Sequence, residues 1–204
     1  MGVYELSGAG SIKTGRTLYT SMNAGNQYGA MVPIATQTLS SAATSVTFSS
    51  IASTYIDLVI ICSIQSTSAA NTDSRYWLRF NNDAATNYST TYLLGNGTSA
   101  SSTRDSNRSQ IDNLTAISTA DEFTPVIYNL LNYSNASNYK TTLQRAGQQN
   151  NNTGVGGSGS FMGTAVSLWR STSAINRIDI ICGVNGQFAT NSTFTLYGIR
   201  AVSS

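Results

Sequence analysis

Short runs of β-branched and aromatic residues recur from Pro33 to the end of the chain, and turn-forming residues separate several of them. In the run Ser45–Ser49, Val46 and Phe48 point to one side and hydroxyl side chains to the other, which is the period of a half-buried strand. The pattern predicts ten strands, at Ile34–Leu39, Ser45–Ser49, Tyr55–Ile64, Tyr76–Asn81, Tyr88–Leu94, Thr124–Tyr133, Tyr139–Ala146, Phe161–Trp169, Ile175–Cys182 and Ser192–Ala201.

Helical periodicity is weak everywhere. The nearest candidate, Ile111–Phe123, places three apolar residues at helical spacing, but it is rich in Ser, Thr and Asp, which are poor helix formers. Ten short strands and two prolines therefore predict an all-β chain, an antiparallel jelly-roll-like β-sandwich over residues 33–204. Two long segments, Asn96–Asp121 and Gln148–Ser160, are predicted as loops.

The most apolar strands supply the predicted core. Each of its side chains is expected to contribute about 1.5–3 kcal/mol if fully buried. The predicted core residues are Val59, Ile60, Ile61, Phe80, Leu130, Leu168, Ile180, Ile181, Phe194 and Leu196.

Residues 1–32 have a different character. They carry six of the seventeen glycines and show no sustained period of 2 or 3.6, which is typical of an extended arm and not of a helix or strand. Because the arm is also dotted with Tyr, Met and Leu, we expect it to gain order by laying side chains on another surface. The predicted partner-contact residues are Tyr4, Leu6, Lys13, Arg16, Tyr19, Met22 and Tyr28.

Composition narrows the possible functions. The chain has 30 Ser, 26 Thr and 19 Asn against 20 charged residues, and its net charge of +2 is spread without a basic patch, so we expect no nucleic-acid partner. No apolar stretch is long enough for a membrane span or a secretory signal. We therefore expect no membrane partner, and we expect synthesis in the cytoplasm without a targeting signal. Cys62 and Cys182 lie in apolar runs, where buried free thiols are expected.

Catalysis is not expected. Histidine is absent, which removes the commonest general base and metal ligand, and two thiols alone build no metal site. A glycosidase would need only two carboxylates, but most of the acidic residues fall in predicted loops or at strand starts, where Asp commonly binds its own backbone. We therefore predict no catalytic, cofactor-binding or metal-binding residues. The carboxylates weighed are Asp57, Asp73, Asp83, Asp105, Asp112, Asp121, Glu122 and Asp179.

Several phrases of the sequence together resemble β-sandwich modules in virion proteins of tailed bacteriophages, especially capsid-decoration and tail-fibre proteins. The resemblance spans roughly residues 20–200 and transfers no catalytic residue. The phrases that carry it are Ser21-Met-Asn-Ala-Gly-Asn26, Ser53-Thr-Tyr-Ile-Asp-Leu58, Leu78-Arg-Phe-Asn-Asn-Asp83 with Asn87-Tyr-Ser89, and Asn191-Ser-Thr-Phe-Thr-Leu-Tyr-Gly-Ile199.

The resemblance implies a non-enzymatic virion structural protein that is assembled in the host cytoplasm. A single module with a free arm fits a capsid decoration or cement protein, a homotrimer whose arm contacts the major capsid protein or sister subunits. The alternative is a tail-fibre or head-fibre adhesin module that binds host-surface glycans through Asn96–Asp121 and Gln148–Ser160, using its abundant Asn, Ser, Thr and Tyr side chains.

Overall fold

Eleven β-strands form the regular structure of the part of the chain that the computed structural model describes, residues 30–68, 75–112, 117, 122–148, 161–183 and 186–201. No helix occurs in these ranges. The strands are β1 (Met31–Thr38), β2 (Ser45–Phe48), β3 (Asp57–Ile64), β4 (Tyr76–Phe80), β5 (Tyr88–Gly95), β6 (Ala100–Arg108), β7 (Thr124–Leu131), β8 (Lys140–Gln148), β9 (Phe161–Trp169), β10 (Ile178–Cys182) and β11 (Thr193–Ile199).

All pairings between these strands are antiparallel and give two sheets. The larger sheet has the order β1-β11-β3-β7-β8-β9-β5-β6, and the smaller has the order β2-β10-β4. The first two strands thus pair with the last two, and β1 to β4 alternate between the sheets, which is the winding of a jelly roll. The hairpins β5-β6 and β8-β9 widen the larger sheet beyond that winding. The all-β antiparallel sandwich predicted from the sequence is confirmed.

One hydrophobic core joins the two sheets. It contains alternate residues of β3, β7 and β11 from the larger sheet and of β2, β4 and β10 from the smaller one. An aromatic group lies between β4, β5 and β9, where Trp169 stacks on Tyr88 at 6.2 Å between ring centroids and meets Phe80 at 5.5 Å. Apolar burial on facing strands therefore holds the sandwich together.

Most of the predicted core is confirmed. Ile60, Phe80, Leu130, Ile180, Phe194 and Leu196 are buried. Val59, Leu168 and Ile181 are only partly buried, and the prediction for Ile61 is wrong, because its side chain is 39% exposed. These residues belong to strands with one buried face, so alternation turns every second apolar side chain away from the core.

The predicted loop Asn96–Asp121 contains a strand, β6, so that prediction is wrong over Ala100–Arg108. Its side chains are polar and almost wholly exposed, so no hydrophobic period marks it. Backbone pairing with β5 supplies its order. In the second predicted loop, residues 149–160 lie outside the described ranges.

The predicted arm overlaps the described structure at its last residues. Strand β1 begins at Met31, so the last two residues assigned to the arm pair with β11. The predicted contact residues of the arm, Tyr4, Leu6, Lys13, Arg16, Tyr19, Met22 and Tyr28, all lie outside the described ranges.

A substitution at Gly198 tests how closely β11 packs against Tyr55. A methyl group added there would overlap the ring of Tyr55, whereas one added at Gly95 would meet its nearest atom, the carbonyl oxygen of Met162, at an ordinary 3.9 Å. We expect Gly198→Ala to lower the free energy of unfolding by about 1–3 kcal/mol through overpacking. Gly95→Ala should be neutral or slightly stabilising. Urea denaturation followed by circular dichroism measures both, and equal effects of the two substitutions would contradict this packing.

Candidate interaction surface

The larger sheet carries an unusual number of hydrophobic side chains on the face that points away from the core. Along this outer face, pairs of directly opposite residues include Tyr197 with Val59, Ile61 with Ile127, and Leu143 with Val166. Diagonal neighbours connect these pairs across the sheet. We call this row the apolar track; its members are Tyr197, Val59, Ile61, Ile127, Leu143, Val166 and Leu93.

Several members of the apolar track are well exposed. The exposed fraction is 53% for Leu93 and 51% for Val166, and Met162, beside the track on β9, is 77% exposed. Met31 and Leu131 extend the exposed apolar surface at the end of the sheet where β1 begins. A continuous apolar surface across six strands exceeds the scattered single residues that a soluble surface normally shows.

At several neighbouring positions of β8 and β9 the usual polarity of the two faces is inverted, although Ala165 and Trp169 still point into the core. Thr142, Gln144 and Ser167 point inward and are buried, while Leu143 and Val166 point outward and are exposed. A strand that only had to cover its own core would place these residues the other way round. The outer positions of Leu143 and Val166 are therefore more apolar than the covering of the core alone requires.

The charged side chains on this face are mostly basic. Arg145 projects from β8 between Ile127 and Thr164, and Arg104 on β6 donates a hydrogen bond to Oγ1 of Thr91 at 3.2 Å. Among the described residues of the face the one carboxylate is Asp57, at the corner of the sheet, where its Oδ1 accepts the N–H of Asn132 at 2.6 Å. The outer face therefore presents an apolar centre with cationic groups.

Beneath the track, the inner face of β8 has polar atoms with incomplete hydrogen bonding. Gln144 donates its Nε2–H groups to the hydroxyls of Tyr76 at 3.2 Å and Tyr128 at 3.4 Å. Among the described residues, neither Oε1 of Gln144 nor Oγ1 of Thr142 has a hydrogen-bond partner. Next to them, the hydroxyls of Ser167 and Thr90 bond at 2.9 Å. Satisfied and unsatisfied hydroxyls thus lie side by side.

The difference between the unbonded hydroxyl of Thr142 and the bonded hydroxyl of Ser167 predicts opposite effects on stability when each is removed. We expect Thr142→Val to be neutral or to raise the free energy of unfolding by up to about 1–3 kcal/mol, because it removes a buried hydroxyl that makes no bond. Ser167→Ala is the matched change on the opposite strand position. It should lower the free energy of unfolding by about 1–3 kcal/mol, since it leaves Thr90 unpaired. Denaturant titration of both variants checks this; a destabilised Thr142→Val would mean that an ordered water bonds the hydroxyl.

Five of the eight carboxylates considered for a glycosidase accept structural hydrogen bonds, and Asp83 accepts them from three residues. Asp83 accepts bonds from Nε1 of Trp169 at 2.7 Å, Nδ2 of Asn87 at 2.9 Å and the backbone N–H of Ala85 at 2.9 Å. Burial alone would raise the pKa of Asp83, but the bonds from Asn87, Trp169 and Ala85 outweigh it and hold the pKa below its ordinary value. This carboxylate anchors a turn and a core tryptophan.

Three other aspartates have comparable roles. Asp179 pairs with Arg177 at 2.7 Å and accepts the hydroxyl of Thr47 at 2.7 Å. Asp112 pairs with Arg108 at 2.7 Å, and Asp105 accepts the hydroxyl of Tyr92 at 2.8 Å. Oε1 of Glu122 is buried and has no hydrogen-bond partner among the residues that the structure describes, and Asp73 and Asp121 lie outside them.

The two cysteines are free and buried, as predicted. Burial raises the pKa of Cys182 to about 11, and it raises that of Cys62 further still, so both thiols are inert at neutral pH. In the described ranges no three His, Cys, Asp or Glu side chains gather closely enough to hold a metal ion. Nor does any helix there have the length and apolarity needed to cross a membrane.

Comparison with protein-family models, with curated proteins and with solved structures finds no match to this chain. The surface therefore has to be interpreted from its own geometry.

Proposed function

We propose that this chain is a non-enzymatic structural protein of a phage virion, a decoration or cement protein that stabilises the capsid. The observation that carries the proposal is the outward placement of hydrophobic side chains on β8 and β9, where polar residues are buried instead. Such a strand suits a protein whose two sheet faces are both covered in the assembled state.

The energetics favour assembly. Each track side chain that a partner covers contributes about 1.5–3 kcal/mol of gross burial energy, against the entropy lost on association. Val166 and Leu93 have the most exposed area to bury. A repeated lattice multiplies this contribution by the number of copies, so a modest interface on each module can stabilise a shell.

The proposed partners are the major capsid protein and sister subunits, with the protein acting as a homotrimer. Residues 1–32 would make contacts through the arm side chains named above, and the track would form the second contact surface. A non-enzymatic role is supported by the aspartates at positions 57, 83, 105, 112 and 179, each of which accepts a structural hydrogen bond. The proposed location is the virion.

A second candidate function is the adhesin module that binds host-surface glycans. Strand β6 favours it, because its Ser, Thr, Asn, Arg and Asp side chains are exposed on both faces of a sheet edge. Hydroxyls, amides and charges in a row can hydrogen-bond a saccharide. This role would leave the apolar track unexplained, so we rank it second.

Copy number separates the two functions. We expect quantitative mass spectrometry of purified virions from the virus that encodes this chain to find it in a stoichiometric ratio to the major capsid subunit. A copy number typical of fibres, far below that of the shell protein, would favour the adhesin. Absence from the particles would overturn both virion functions.

A further inference from the structure

We infer that the apolar track is the docking site for residues 1–29 of a neighbouring copy of this chain. This inference rests on the proposed function, because it names the contact that would join sister subunits in the assembly. The position at which the described structure begins, the composition of residues 1–29 and the charge of the outer face all bear on it.

The apolar surface extends to the place where the N-terminal segment begins. Met31 is exposed and lies opposite Ile199, on the edge strand of the larger sheet. Beside them stands Tyr197, the first member of the track, followed by Val59. An apolar strip thus runs inward from the strand that the N-terminal segment precedes.

The length of the segment is sufficient for exchange between subunits. Twenty-nine residues at about 3.3 Å each can span roughly 95 Å when extended. The track from β11 to β5 crosses five strand spacings of about 4.8 Å, or roughly 24 Å. The segment can therefore leave one module and still cover the whole track of another.

The direction of the chain favours a neighbour over the same module. The ladder with β11 continues past Met31, since the N–H of Arg200 donates to the carbonyl oxygen of Ala30 at 2.9 Å. The backbone therefore still points along the strand, beyond the end of the sheet, where it leaves the described structure. Because that direction leads away from the module's own outer face, we assign the track to the segment of a neighbouring copy.

The apolar side chains of residues 1–29 match the apolar track in composition. Residues 1–29 include apolar side chains suited to the track, namely Val3, Tyr4, Leu6, Ile12, Leu18, Tyr19, Met22 and Tyr28. Glu5 is the single acid among them. The central cation of the outer face, Arg145, has no carboxylate directly opposite it on either neighbouring strand. The segment also carries Lys13 and Arg16, so its apolar side chains match the track and its net charge does not. Glu5 is the one acid of the segment that could pair with Arg145.

Photo-cross-linking in mixed assemblies tests the inference. One full-length chain carries benzoylphenylalanine in place of Thr164, which lies on the outer face beside Arg145. It is co-assembled with an excess of full-length, isotopically labelled chain. After irradiation, mass spectrometry identifies the cross-linked peptides and the copy from which they come. The control places the same probe at Ser45, which is exposed on the smaller sheet.

We expect labelled peptides from residues 1–29 to dominate the products of the Thr164 probe and to be lost with the Ser45 probe. Unlabelled arm peptides within a monomer-sized product would overturn the inference, because the arm would then cover its own module. Cross-links to any other segment would also overturn it. Presence of the chain in virions is measured separately, so the proposed function can survive either failure.

Discussion

Trp169→Ala should lower the free energy of unfolding by about 3–5 kcal/mol, the largest loss we expect from a single substitution in this chain. The indole of Trp169 is buried between Phe80 and Tyr88, and its Nε1–H is donated to Oδ2 of Asp83. Truncation leaves a cavity and also removes one donor from a carboxylate that needs it. Since domains are stable by only about 5–15 kcal/mol, this loss is a large share of the total stability.

Trp169→Phe separates the two contributions. It keeps most of the apolar volume but loses the bond to Asp83, so we expect a cost of about 1.5–3 kcal/mol at neutral pH. The pKa of Asp83 is lowered in the fold, so the stability that its bonds contribute is present at neutral pH and is lost as the pH falls through the folded-state pKa. The loss of stability that Trp169→Phe causes should therefore become smaller as the pH falls.

The control is Trp77→Phe, because Trp77 is partly exposed on the outer side of the smaller sheet, over Gly183. We expect that change to cost under about 1 kcal/mol. Urea denaturation followed by circular dichroism gives the midpoints of all three variants. A Trp169→Ala variant as stable as Trp77→Phe would contradict the aromatic packing between the sheets.

Replacing Leu143 and Val166 with threonine should weaken self-association about 100-fold while leaving the fold intact. Both side chains belong to the track and face each other across β8 and β9. Threonine has the β-branched shape that strands favour, but it removes apolar area that we expect a partner to cover. Each change should cost association about 1.4 kcal/mol, or a factor of about ten.

Ile181→Thr is the matched control, because Ile181 faces outward from the smaller sheet and is partly exposed. It should leave the association constant unchanged. Sedimentation equilibrium measures that constant, and thermal denaturation in dilute solution shows that each variant still folds. If the double variant associates as tightly as the unsubstituted chain, the track is not an interface.

The strands could be predicted from the sequence because alternation and turn residues mark them directly. Phe161–Trp169 is predicted and found with identical bounds, and the other nine predicted strands are found with ends shifted by a few residues. Strand β6 could not be predicted, because pairing through the backbone leaves no hydrophobic signal in polar side chains. The assignment of strands to an eight-stranded and a three-stranded sheet depends on long-range pairing, which a local pattern does not contain.

The apolar track was only half visible in the sequence. The unbroken run Leu58–Cys62 places apolar residues on both faces of β3, so the sequence predicts Val59, Ile60 and Ile61 together in the core. The structure gives Ile61 an outward, exposed position instead. In β8 the sequence shows a single apolar residue among polar ones, since Leu143 stands between Thr142 and Gln144. Without the register, nothing showed that the leucine and not its polar neighbours would face outward.

Oxidation of Met162 tests most directly whether the outer face is covered in the working protein. Its side chain is 77% exposed beside the track, and peroxide converts an accessible methionine to the sulfoxide, which mass spectrometry quantifies. We predict that Met162 oxidises several-fold more slowly in the assembled full-length chain than in a chain that begins at Met31. Equal oxidation rates in the two proteins would show that the outer face stays open to solvent and would contradict the account.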